Sequence, residues 1–487
     1  MKIDVARIRS ALAERGLLAG TRGELPAQAT GISDDSRTVE HGGLFIAVRG
    51  WQSDGHDFLE AAAGRGAVCA IVEDASRTTL PAIVVSKGRE AAALAAATAF
   101  DNPARHLRLI GVTGTNGKTT TTSILRHLLD DGSASSASIG TLGVLVGSQG
   151  AVLPGGSGLT TPGPVELQRI LRALADDGVR TVAMEVSSHS LDQRRIDGIE
   201  FDAALFTNLT RDHLDYHGTM EAYLAAKARL LDYLRPAGTA IVNADATEWG
   251  ALRPAGSLLT FGIKADAQVR ARDVRFTPTG SQWRLTAPGG EGEVRLPLIG
   301  DVNVQNGLAA AAAAFALGLS VPDIAARLAT VPQVPGRLEV ISQQPTVLRD
   351  YAHTPDALER ALGTARAFTK GKLIVMFGCG GDRDKGKRPL MGEIAERGAD
   401  VVIVTSDNPR TEDPDSIIDE IEEGMRSAGH ERVTDRHAAI ARAIQIAADG
   451  DIVLLAGKGH ETYQIRGTVS YPFDEKEIVK EIVGERA

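Results

Sequence analysis

The sequence feature that most constrains the fold is a glycine-rich turn directly after an apolar run. Residues 107–112 read Leu-Arg-Leu-Ile-Gly-Val, and residues 114–120 read Gly-Thr-Asn-Gly-Lys-Thr-Thr. This pattern predicts a strand, a tight turn and a helix that begins near Lys118, with backbone N–H groups and the helix dipole turned toward an anion. The loop is a shortened variant, because the general pattern has glycine where this chain has Val112. It predicts a nucleoside triphosphate site, with a plain strand-to-helix turn as the alternative.

The composition is that of an ordinary globular protein, and its 487 residues predict about three domains. A net charge of −9 argues against a nucleic-acid surface. Cys69 and Cys379 are the two cysteines, too few for a disulfide framework or a metal knuckle, which favours a reducing cytosol. Residues 1–7 lack the apolar core of a signal peptide, and the Ala-rich run 308–317 is too short to span a bilayer. We therefore expect a cytoplasmic protein in which 308–317 is a buried helix.

The chain divides into three segments by its pattern of strands, helices and breaks. Residues 1–104 contain short strands and helices and end in an Ala-rich helix at 90–100. Residues 269–298 hold shorter runs broken by Gly and Pro, which predict a small antiparallel addition, and 331–336 indicate a hinge. Buried-strand runs alternate with helical stretches at 181–186, 203–207, 239–243, 373–377, 401–405 and 452–456. That alternation predicts parallel sheets with helices on their faces in the second and third segments.

One lysine lies on the apolar face of a predicted helix. Residues 220–234 have helical periodicity, and Lys227 falls on the apolar stripe, four residues after Tyr223. The other members of that stripe are Met220, Leu224, Leu231 and Leu234. A lysine that points inward is rare unless it is paired. Either its stem packs while its head extends to water, or an anionic neighbour or a chemical change of the amine stabilises it. Periodicity alone leaves both alternatives open.

Two further motifs follow predicted strands in the second segment. Glu185 ends a strand in Met-Glu-Val-Ser-Ser-His (184–189), and residues 208–217 read Asn-Leu-Thr-Arg-Asp-His-Leu-Asp-Tyr-His. Open α/β sheets place their sites at the carboxyl ends of strands. We therefore expect Glu185 and His213 to face the phosphates held by Lys118. The two Asp and two His within residues 212–217 could also ligate a metal, and a solvated loop is the alternative for this cluster.

The third segment offers three polar loops, each after a strand run. Residues 378–388 read Gly-Cys-Gly-Gly-Asp-Arg-Asp-Lys-Gly-Lys-Arg, 407–410 read Asp-Asn-Pro-Arg, and 457–461 read Gly-Lys-Gly-His-Glu. Because parallel strands end at one edge, we expect the three loops to lie together. They combine both charge signs, as recognition of a zwitterion requires; three solvated loops are the alternative.

These motifs occur in the order found in the Mur ligases, and the chain resembles that family over essentially its whole length. The resemblance also includes Asp-Ser-Arg (35–37), Gly-Trp-Gln-Ser-Asp-Gly (50–55), Asn-Val-Gln-Asn (303–306), Pro-Gly-Arg (335–337) and Asp-Tyr-Ala-His (350–353). Two positions depart from the family pattern: Val302, where the family usually has Phe, and Leu159, where it often has Asn.

The resemblance implies a three-domain α/β fold: an N-terminal UDP-sugar domain (1–104), a central P-loop ATPase-like parallel-sheet domain (105–334) and a C-terminal Rossmann-like domain (335–487). It implies an ATP-dependent amide ligase of cytoplasmic peptidoglycan precursor synthesis that closes its domains around the substrates. The γ-phosphoryl group passes to the D-Glu side-chain carboxylate of UDP-MurNAc-L-Ala-D-Glu, and the amine of an incoming amino acid then attacks. The implied partners are small molecules, with no nucleic acid, no membrane insertion and a monomeric enzyme.

The resemblance also assigns site residues. The catalytic residues are Lys118, Glu185, His213 and Lys227. The ATP-binding residues are Gly114, Thr115, Asn116, Gly117, Lys118, Thr119, Thr120, Asn303, Arg337 and Asp350. Thr119 and Glu185 hold one Mg²⁺, and His213 and Lys227 hold a second, with Lys227 carbamylated by CO₂ to N6-carboxylysine. The UDP-sugar residues are Ser36, Trp51, Gln52, Ser53, Thr160, Thr161, Ser187, Gln193 and Arg195. The residues for meso-diaminopimelate are Arg383, Asp407, Asn408, Pro409, Arg410, Gly457 and Glu461.

Three alternatives remain at this stage. A folylpolyglutamate synthetase-like ligase shares the chemistry but not residues 50–55 or the 407–410 motif. A lysine-adding relative is disfavoured because Arg410 suits the distal carboxylate of diaminopimelate, which lysine lacks. A nucleotide-gated binding protein without catalysis is disfavoured because a binder needs no second metal site.

Overall fold

The structure is a computed structural model that describes residues 2–50, 53–153, 158–277, 280–427 and 429–484. Its internal contacts divide the chain into two units. The first unit comprises Met1–Arg270, Leu285–Glu291 and Asn306–Arg327, and the second comprises Ala271–Arg284, Gly292–Gln305 and Leu328–Ala487. Both units are α/β, as the sequence predicts. The domain boundaries after residues 104 and 334 stay a prediction.

The first hundred residues form a small α/β layer. Its elements are β1 (Ile3–Asp4), α1 (Val5–Glu14), β2 (Leu18–Arg22), β3 (Gln28–Ala29), β4 (Ile32–Ser33), β5 (Leu44–Ile46), α2 (Leu59–Gly64), β6 (Cys69–Val72), β7 (Ala82–Val85) and α3 (Gly88–Ala99). The sheet order is β2-β7-β6-β5-β4, with β2 antiparallel to β7 and the other pairs parallel. The alanines of α3 are almost all buried, because small side chains let this helix pack closely on its neighbours.

The rest of the first unit is built around a larger sheet. Its elements, with those that continue into the second unit, are β8 (Arg108–Thr113), α4 (Lys118–Leu129), β9 (Ser136–Gly140), β10 (Gly143–Val146), β11 (Ala151–Leu153), α5 (Pro164–Asp176), β12 (Thr181–Glu185), α6 (Ser188–Asp192), β13 (Phe201–Phe206), α7 (Leu214–His217), α8 (Met220–Ala228), β14 (Leu234–Asn243), β15 (Ser257–Gly262), β16 (Val269–Thr277), β17 (Gly280–Ala287), β18 (Gly290–Leu296), α9 (Asp301–Ala316) and α10 (Val321–Leu328). The sheet order is β11-β10-β9-β12-β8-β13-β14-β15, and every pair from β9 to β15 is parallel.

The strand that carries the glycine-rich turn is in the middle of this sheet. β8 pairs with β12 on one side and β13 on the other, with Glu185 opposite Val112 and Phe206 opposite Thr113. The three strands are parallel, so their carboxyl ends lie side by side. The topology therefore brings the loops after β8, β12 and β13 to one edge.

The predicted helix over 220–234 is wrong in its second half. The helix ends at Ala228, a 3₁₀ turn covers Arg229–Tyr233, and Leu234 is the first residue of β14, paired with Phe201. The 3₁₀ turn and the start of β14 pack their apolar residues on the same core as α8. The helical spacing of apolar residues in the sequence therefore continues past the end of the helix. The predicted buried helix at 308–317 is confirmed over most of its length, because every residue from Leu308 to Ala314 is buried within α9, which ends at Ala316.

The second unit holds a mostly parallel sheet with helices on its faces. Its elements are β19 (Glu339–Gln343), β20 (Thr346–Asp350), α11 (Pro355–Arg366), β21 (Leu373–Phe377), α12 (Lys387–Gly398), β22 (Val401–Val404), α13 (Pro414–Glu422), β23 (Glu431–Arg432), α14 (Arg436–Ile446), β24 (Ile452–Ala456), β25 (Tyr463–Arg466), β26 (Val469–Pro472) and α15 (Glu475–Gly484). The order is β19-β20-β24-β21-β22-β23, and only β19 runs antiparallel to its neighbour among these described strands. Because β24, β21 and β22 are adjacent and parallel, the three polar loops that follow them lie at one edge, as predicted.

Within the described ranges, no helix is both long and apolar enough to cross a membrane.

Leu205→Ala should destabilise the first unit much more than Leu258→Ala. Leu205 on β13 is fully buried, whereas Leu258 on β15 is 46% exposed. A buried leucine truncated to alanine loses about 2–5 kcal/mol, because the cavity adds to the lost transfer free energy. An exposed leucine loses about 0.5 kcal/mol or less. Denaturant unfolding of the two variants measures the difference, and equal losses would contradict this placement of β13 in the core.

Candidate active site

The glycine-rich turn is fastened to the end of β13. Gly114 (φ +146°) and Gly117 (φ +85°) have backbone conformations that favour glycine. A Cβ atom on Gly114 would overlap the Thr207 hydroxyl, and one on Gly117 would overlap the Asn306 side-chain amide. The N–H of Thr115 donates to Asn208 O (2.8 Å). The loop is therefore held in one shape in which α4 begins directly at Lys118.

Two lysines converge on one carbonyl of this loop. Lys118 Nζ donates to Gly114 O (2.9 Å) and Thr115 O (2.8 Å), and Lys227 Nζ donates to Gly114 O (2.8 Å). Lys227 is buried, and its nitrogen lies 4.5 Å from the centre of the Tyr223 ring. Burial, together with the Lys118 charge, holds the pKa of Lys227 well below its usual value. The head of Lys227 does not reach water, so that alternative is wrong.

Glu185 is a buried carboxylate at the end of β12. Its Oε1 accepts from the Thr141 N–H (2.8 Å) and its Oε2 from the Thr141 hydroxyl (3.2 Å). A Cβ at Gly140 would overlap this carboxylate, so the glycine makes room for it. Glu185 therefore ends the strand next to β8, the strand that leads into the glycine-rich loop. Thr119 is a buried residue in the first turn of α4, directly after that loop.

His213 belongs to a cluster of aromatic and histidine rings. It adopts φ +53° before α7 and is half exposed, and its ring centre lies 4.8 Å from that of His189. Partial burial lowers the pKa of His213; Asp212 opposes this effect, and Lys118 and Lys227 add to it. The structure thus places His213 within electrostatic reach of both lysines.

The sequence analysis singled out the 208–217 motif, which includes Tyr216 and His217, but did not predict that these rings cluster with His189. The ring of His189 lies 4.2 Å from Tyr216 and 5.5 Å from His217, centre to centre, and His217 lies 5.2 Å from Tyr223. Burial, with His213 and His217, lowers the pKa of His189 to about 4. A signal was present, because His189 ends the same motif as Glu185, and residues 213–217 follow β13, which lies on the other side of β8.

The donor chemistry around the loop fits Mg²⁺ as a partner of phosphates. The Thr119 hydroxyl and the Glu185 carboxylate are hard oxygen donors, the kind that Mg²⁺ prefers. Within the described residues, no group of three His, Cys, Asp or Glu side chains is placed to hold a metal ion alone. Mg²⁺ usually takes only one or two carboxylates and completes its shell with water and substrate phosphates. The residues fit that mode of binding.

Five of the predicted UDP-sugar residues lie together next to Glu185. Arg195 donates to Thr161 O (3.1 Å) and to Gln193 Oε1 (2.6 Å), and Thr161 Oγ1 donates to Glu185 O (2.9 Å). The Ser187 and Thr160 hydroxyls are the other two, at 3.4 Å from Thr161 Oγ1 and Thr141 Oγ1 respectively. Ser36 and Ser53 lie in the N-terminal layer, and Trp51 and Gln52 lie outside the described residues.

A cavity of about 730 Å³ lies between the N-terminal layer and α5. Its lining includes Asp34, Asp35, Glu40 and Glu166, with Arg169 as the basic member. Burial raises the pKa of Asp34. Four carboxylates against one guanidinium suit a diphosphate poorly, and the five clustered UDP-sugar residues are not among the lining residues that the structure describes.

The residues predicted to bind diaminopimelate lie together in the second unit, in the loops after β21, β22 and β24. Arg410 (φ +51°) donates from Nη1 to Gly381 O (2.8 Å), and Asn408 Nδ2 donates to Glu461 Oε2 (2.9 Å). Gly457 has φ +114°, and a Cβ there would lie 2.8 Å from Asp407 Oδ2. Pro409 lies between Asn408 and Arg410, and the exposed Arg383 donates to Asp382 O (3.0 Å).

The second unit also holds three of the residues predicted to bind ATP, Asn303, Arg337 and Asp350. The Arg337 guanidinium lies 5.2 Å from the centre of the Tyr351 ring. Asp350 Oδ2 accepts from the Leu338 N–H (2.7 Å), and burial raises the pKa of Asp350 to about 6. Asn303 is buried, and its Nδ2 donates to Ile299 O (2.9 Å).

Comparison with known proteins agrees with this geometry. The family descriptions that match are the Mur ligase middle domain (residues 112–314), the Mur ligase glutamate ligase domain (336–459) and the Mur ligase family catalytic domain (28–109). A UDP-N-acetylmuramoyl-L-alanyl-D-glutamate--2,6-diaminopimelate ligase from Geobacillus kaustophilus is 45% identical over 464 residues, 93% of this chain and 94% of the relative. The chain belongs to the Mur ligase family.

Two further relatives extend the match over nearly the whole chain. The Synechococcus elongatus protein of the same name is 46% identical over 501 residues, 97% of this chain and 99% of the relative. A solved structure of a UDP-N-acetylmuramoyl-L-alanyl-D-glutamate--2,6-diaminopimelate ligase has a TM-score of 0.68 at 34% identity and covers 96% of this chain and 97% of its own. As a Mur ligase, the chain has the three-domain α/β class that the sequence predicts.

Gly117→Ala should weaken ATP binding at least ~10-fold, because a Cβ there displaces the Asn306 amide and distorts the loop whose N–H groups are predicted to bind the phosphates. Gly132→Ala is the matched control. Gly132 has nearly the same backbone angle, φ +89°, but open space around its Cβ position. It should carry the backbone strain while keeping the nucleotide affinity. Titration with a fluorescent ATP analogue compares the two, and equal affinities would contradict the role of Gly117.

Proposed function

We propose that this Mur ligase is an ATP-dependent amide ligase that joins meso-2,6-diaminopimelate to the D-Glu residue of UDP-MurNAc-L-Ala-D-Glu and releases ADP and phosphate. The observation that carries the proposal is that the buried Lys227 amine donates a hydrogen bond to Gly114 O in the phosphate loop, the same oxygen to which Lys118 donates. The names and high identity of the relatives support the choice of substrates. We place the reaction in the cytoplasm and the enzyme as a monomer; its described cysteines, both free and buried, agree with a reducing compartment.

In the first step, an oxygen of the D-Glu side-chain carboxylate attacks the γ-phosphorus of ATP, and ADP leaves. The product is an acyl phosphate. This step brings a carboxylate against a triphosphate, so the chain must offset the repulsion and align the oxygens. The loop N–H groups and the N-terminus of α4 receive the phosphates, and Lys118 stabilises charge on the transferred group.

In the second step, the amine nitrogen attacks the acyl carbon and forms a tetrahedral intermediate. The C–O bond to phosphate then breaks, the amide forms and the nitrogen loses its proton. Phosphate is a far better leaving group than the hydroxide that a free carboxylate would have to release. The chain's task here is to hold the amine and the acyl carbon together.

Thr119 and Glu185 would hold one Mg²⁺, and His213 with Lys227 a second. Bound Mg²⁺ neutralises charge on the phosphate oxygens. An ammonium cannot be a metal ligand, but a carbamate on Lys227 supplies oxygen donors. The lowered pKa of Lys227 favours the neutral amine that reacts with CO₂, which supports the proposed N6-carboxylysine.

Selection of the amino acid is proposed for the loops after β21, β22 and β24. Meso-diaminopimelate carries a carboxylate beside its distal ammonium, and the planar guanidinium of Arg410 suits that carboxylate. The carboxylates of Asp407 and Glu461 suit the ammonium. Lysine would leave only a cation near Arg410, which disfavours it. Arg383, Asn408, Pro409 and Gly457 complete the proposed diaminopimelate residues.

The UDP-sugar is proposed to contact Ser36, Trp51, Gln52, Ser53, Thr160, Thr161, Ser187, Gln193 and Arg195. The position of Arg195 beside Glu185 supports this part, since it offers a cation near the phosphate loop. Asn303, Arg337 and Asp350 are proposed for the nucleotide, with domain closure as part of the cycle.

Phosphate release should require UDP-MurNAc-L-Ala-D-Glu and meso-diaminopimelate together, and L-lysine should not replace diaminopimelate. Mass detection of the product identifies the amide.

Arg410→Ala should raise the KM for diaminopimelate ~10–100-fold, because a charge-assisted hydrogen bond is lost. Arg397→Ala, at an exposed arginine of α12, is the control and should keep the wild-type KM.

Turnover with lysine would overturn the specificity argument and keep the mechanism. A folded protein that gives no product with either amino acid would be a binding protein, and the proposed ligase function would be wrong.

Lys227→Met should lower kcat by ~100-fold or more, since a group that organises charge around the phosphoryl transfer is removed. Lys264→Met, at an exposed lysine of the same unit, is the matched control and should leave kcat unchanged. Mass spectrometry of gently ionised wild-type protein should detect one added CO₂ that Lys227→Met lacks. Full activity of Lys227→Met, or no CO₂ on active wild-type enzyme, would contradict the carbamate.

A further inference from the structure

A second fully buried lysine lies in the second unit, among the loops after β21, β22 and β24 that are proposed to bind the amino-acid substrate. Lys458, in the loop after β24, has no exposed side-chain surface. Its Nζ donates to Asn408 Oδ1 (2.9 Å) and to Tyr463 O (2.7 Å), and it lies 3.7 Å from Glu461 Oε2. A lysine is rarely buried without partners, and here three acceptors surround its three donor positions. Neither the sequence motifs nor the proposed mechanism gives this lysine a role.

Lys458 and the Ile465 N–H together determine which way the Asn408 amide faces. Asn408 Oδ1 accepts from Lys458 Nζ and also from the Ile465 N–H (2.9 Å). A backbone N–H only donates and an ammonium has no acceptor, so the atom facing both must be the amide oxygen. The amide nitrogen then points to the opposite side, where Nδ2 donates to Glu461 Oε2 (2.9 Å). The orientation of Glu461 is therefore linked to Lys458 through this amide, in addition to the direct 3.7 Å ion pair.

Other side chains hold the backbone of these loops. Arg436 and Glu475 form a fully buried ion pair (2.7 Å). Arg436 also donates to Ser406 O (3.3 Å) and Ala456 O (3.0 Å), just before the 407–410 and 457–461 loops. Gln464 Nε2 donates to Asp407 O (2.7 Å). Loss of the Lys458 amine leaves these anchors in place, so its effect should fall on the Asn408 and Glu461 side chains.

We propose that Lys458 is a positioning residue for the amino-acid substrate. It holds the Asn408 amide in one orientation, and the amide nitrogen then holds Glu461 by its Oε2 atom. The other carboxylate oxygen of Glu461 is left to bind the ammonium of the substrate. The inference rests on the proposed function, because that function makes Asn408 and Glu461 part of the diaminopimelate site. It adds a residue that acts through those two and does not itself contact the ligand.

The test is steady-state kinetics of Lys458→Met with each of the three substrates varied in turn. Methionine keeps most of the stem volume and removes the donor. The KM for meso-diaminopimelate should rise ~10-fold or more, while kcat and the KM values for ATP and the UDP-sugar stay within about twofold. Lys480→Met, at an exposed lysine of α15, is the matched control and should change none of these values.

Two further variants separate positioning from folding. Lys458→Gln keeps an N–H donor one atom short of the lysine nitrogen, so its KM should lie between those of wild type and Lys458→Met. In an Asn408→Ala background, Lys458→Met should raise the KM by a smaller factor than it does in the wild type, because the amide is already gone and only the direct 3.7 Å contact with Glu461 is left to lose. Thermal unfolding identifies any variant that has lost its fold. If Lys458→Met is one of them, the glutamine variant in both backgrounds gives the same comparison.

Equal changes in all three KM values, or fully additive effects of the two substitutions, would overturn the proposal. So would an unchanged KM for diaminopimelate in folded Lys458→Met. Failure of the proposed function has a different signature, because the wild-type enzyme itself would not use diaminopimelate. If the wild type uses lysine instead, the same comparisons are made with lysine as the varied amino acid.

Discussion

The carbonyl oxygen of Gly114 is the shared acceptor on which the nucleotide site depends. Lys118 and Lys227 both donate to it, one from the first turn of α4 and the other from the buried side of α8. Burial disfavours the protonated form of Lys227, and the charge of Lys118 on the same acceptor lowers the pKa of Lys227 further. The glycine turn thereby holds Lys118 close to Lys227, a residue more than a hundred positions further along the chain, and so contributes to the lowered pKa of Lys227.

The sequence could predict those parts of the site that follow from strand order and loop chemistry. A phosphate loop requires a strand before it and a helix after it, so β8 and the start of α4 were predictable near Lys118. Polar residues at the ends of parallel strands share an edge, which placed Glu185 near the loop and the 407–410 motif near 457–461. These inferences need only topology, because the side chains follow once the strands are adjacent.

The parts that sequence could not predict depend on tertiary packing. The apolar period of 220–234 continues across the end of α8, because the 3₁₀ turn and Leu234 pack on the same core. The ring cluster of His189, Tyr216 and His217 forms only when the loops after β12 and β13 meet. No local pattern encodes such a meeting. The orientation of the Asn408 amide is likewise fixed by donors from two distant segments.

The two buried lysines show how the same side chain takes different roles from its neighbours. Lys227 has a carbonyl, an aromatic face and another cation nearby, and burial together with that cation lowers the pKa of its amine. Lys458 is also buried with a lowered pKa, but the carboxylate of Glu461 and two oxygen acceptors surround it and favour a donor that stays in place. Burial alone therefore does not predict reactivity in this fold. The charge of the nearest partners differs between the two lysines, and this difference is the basis for the separate roles proposed for them.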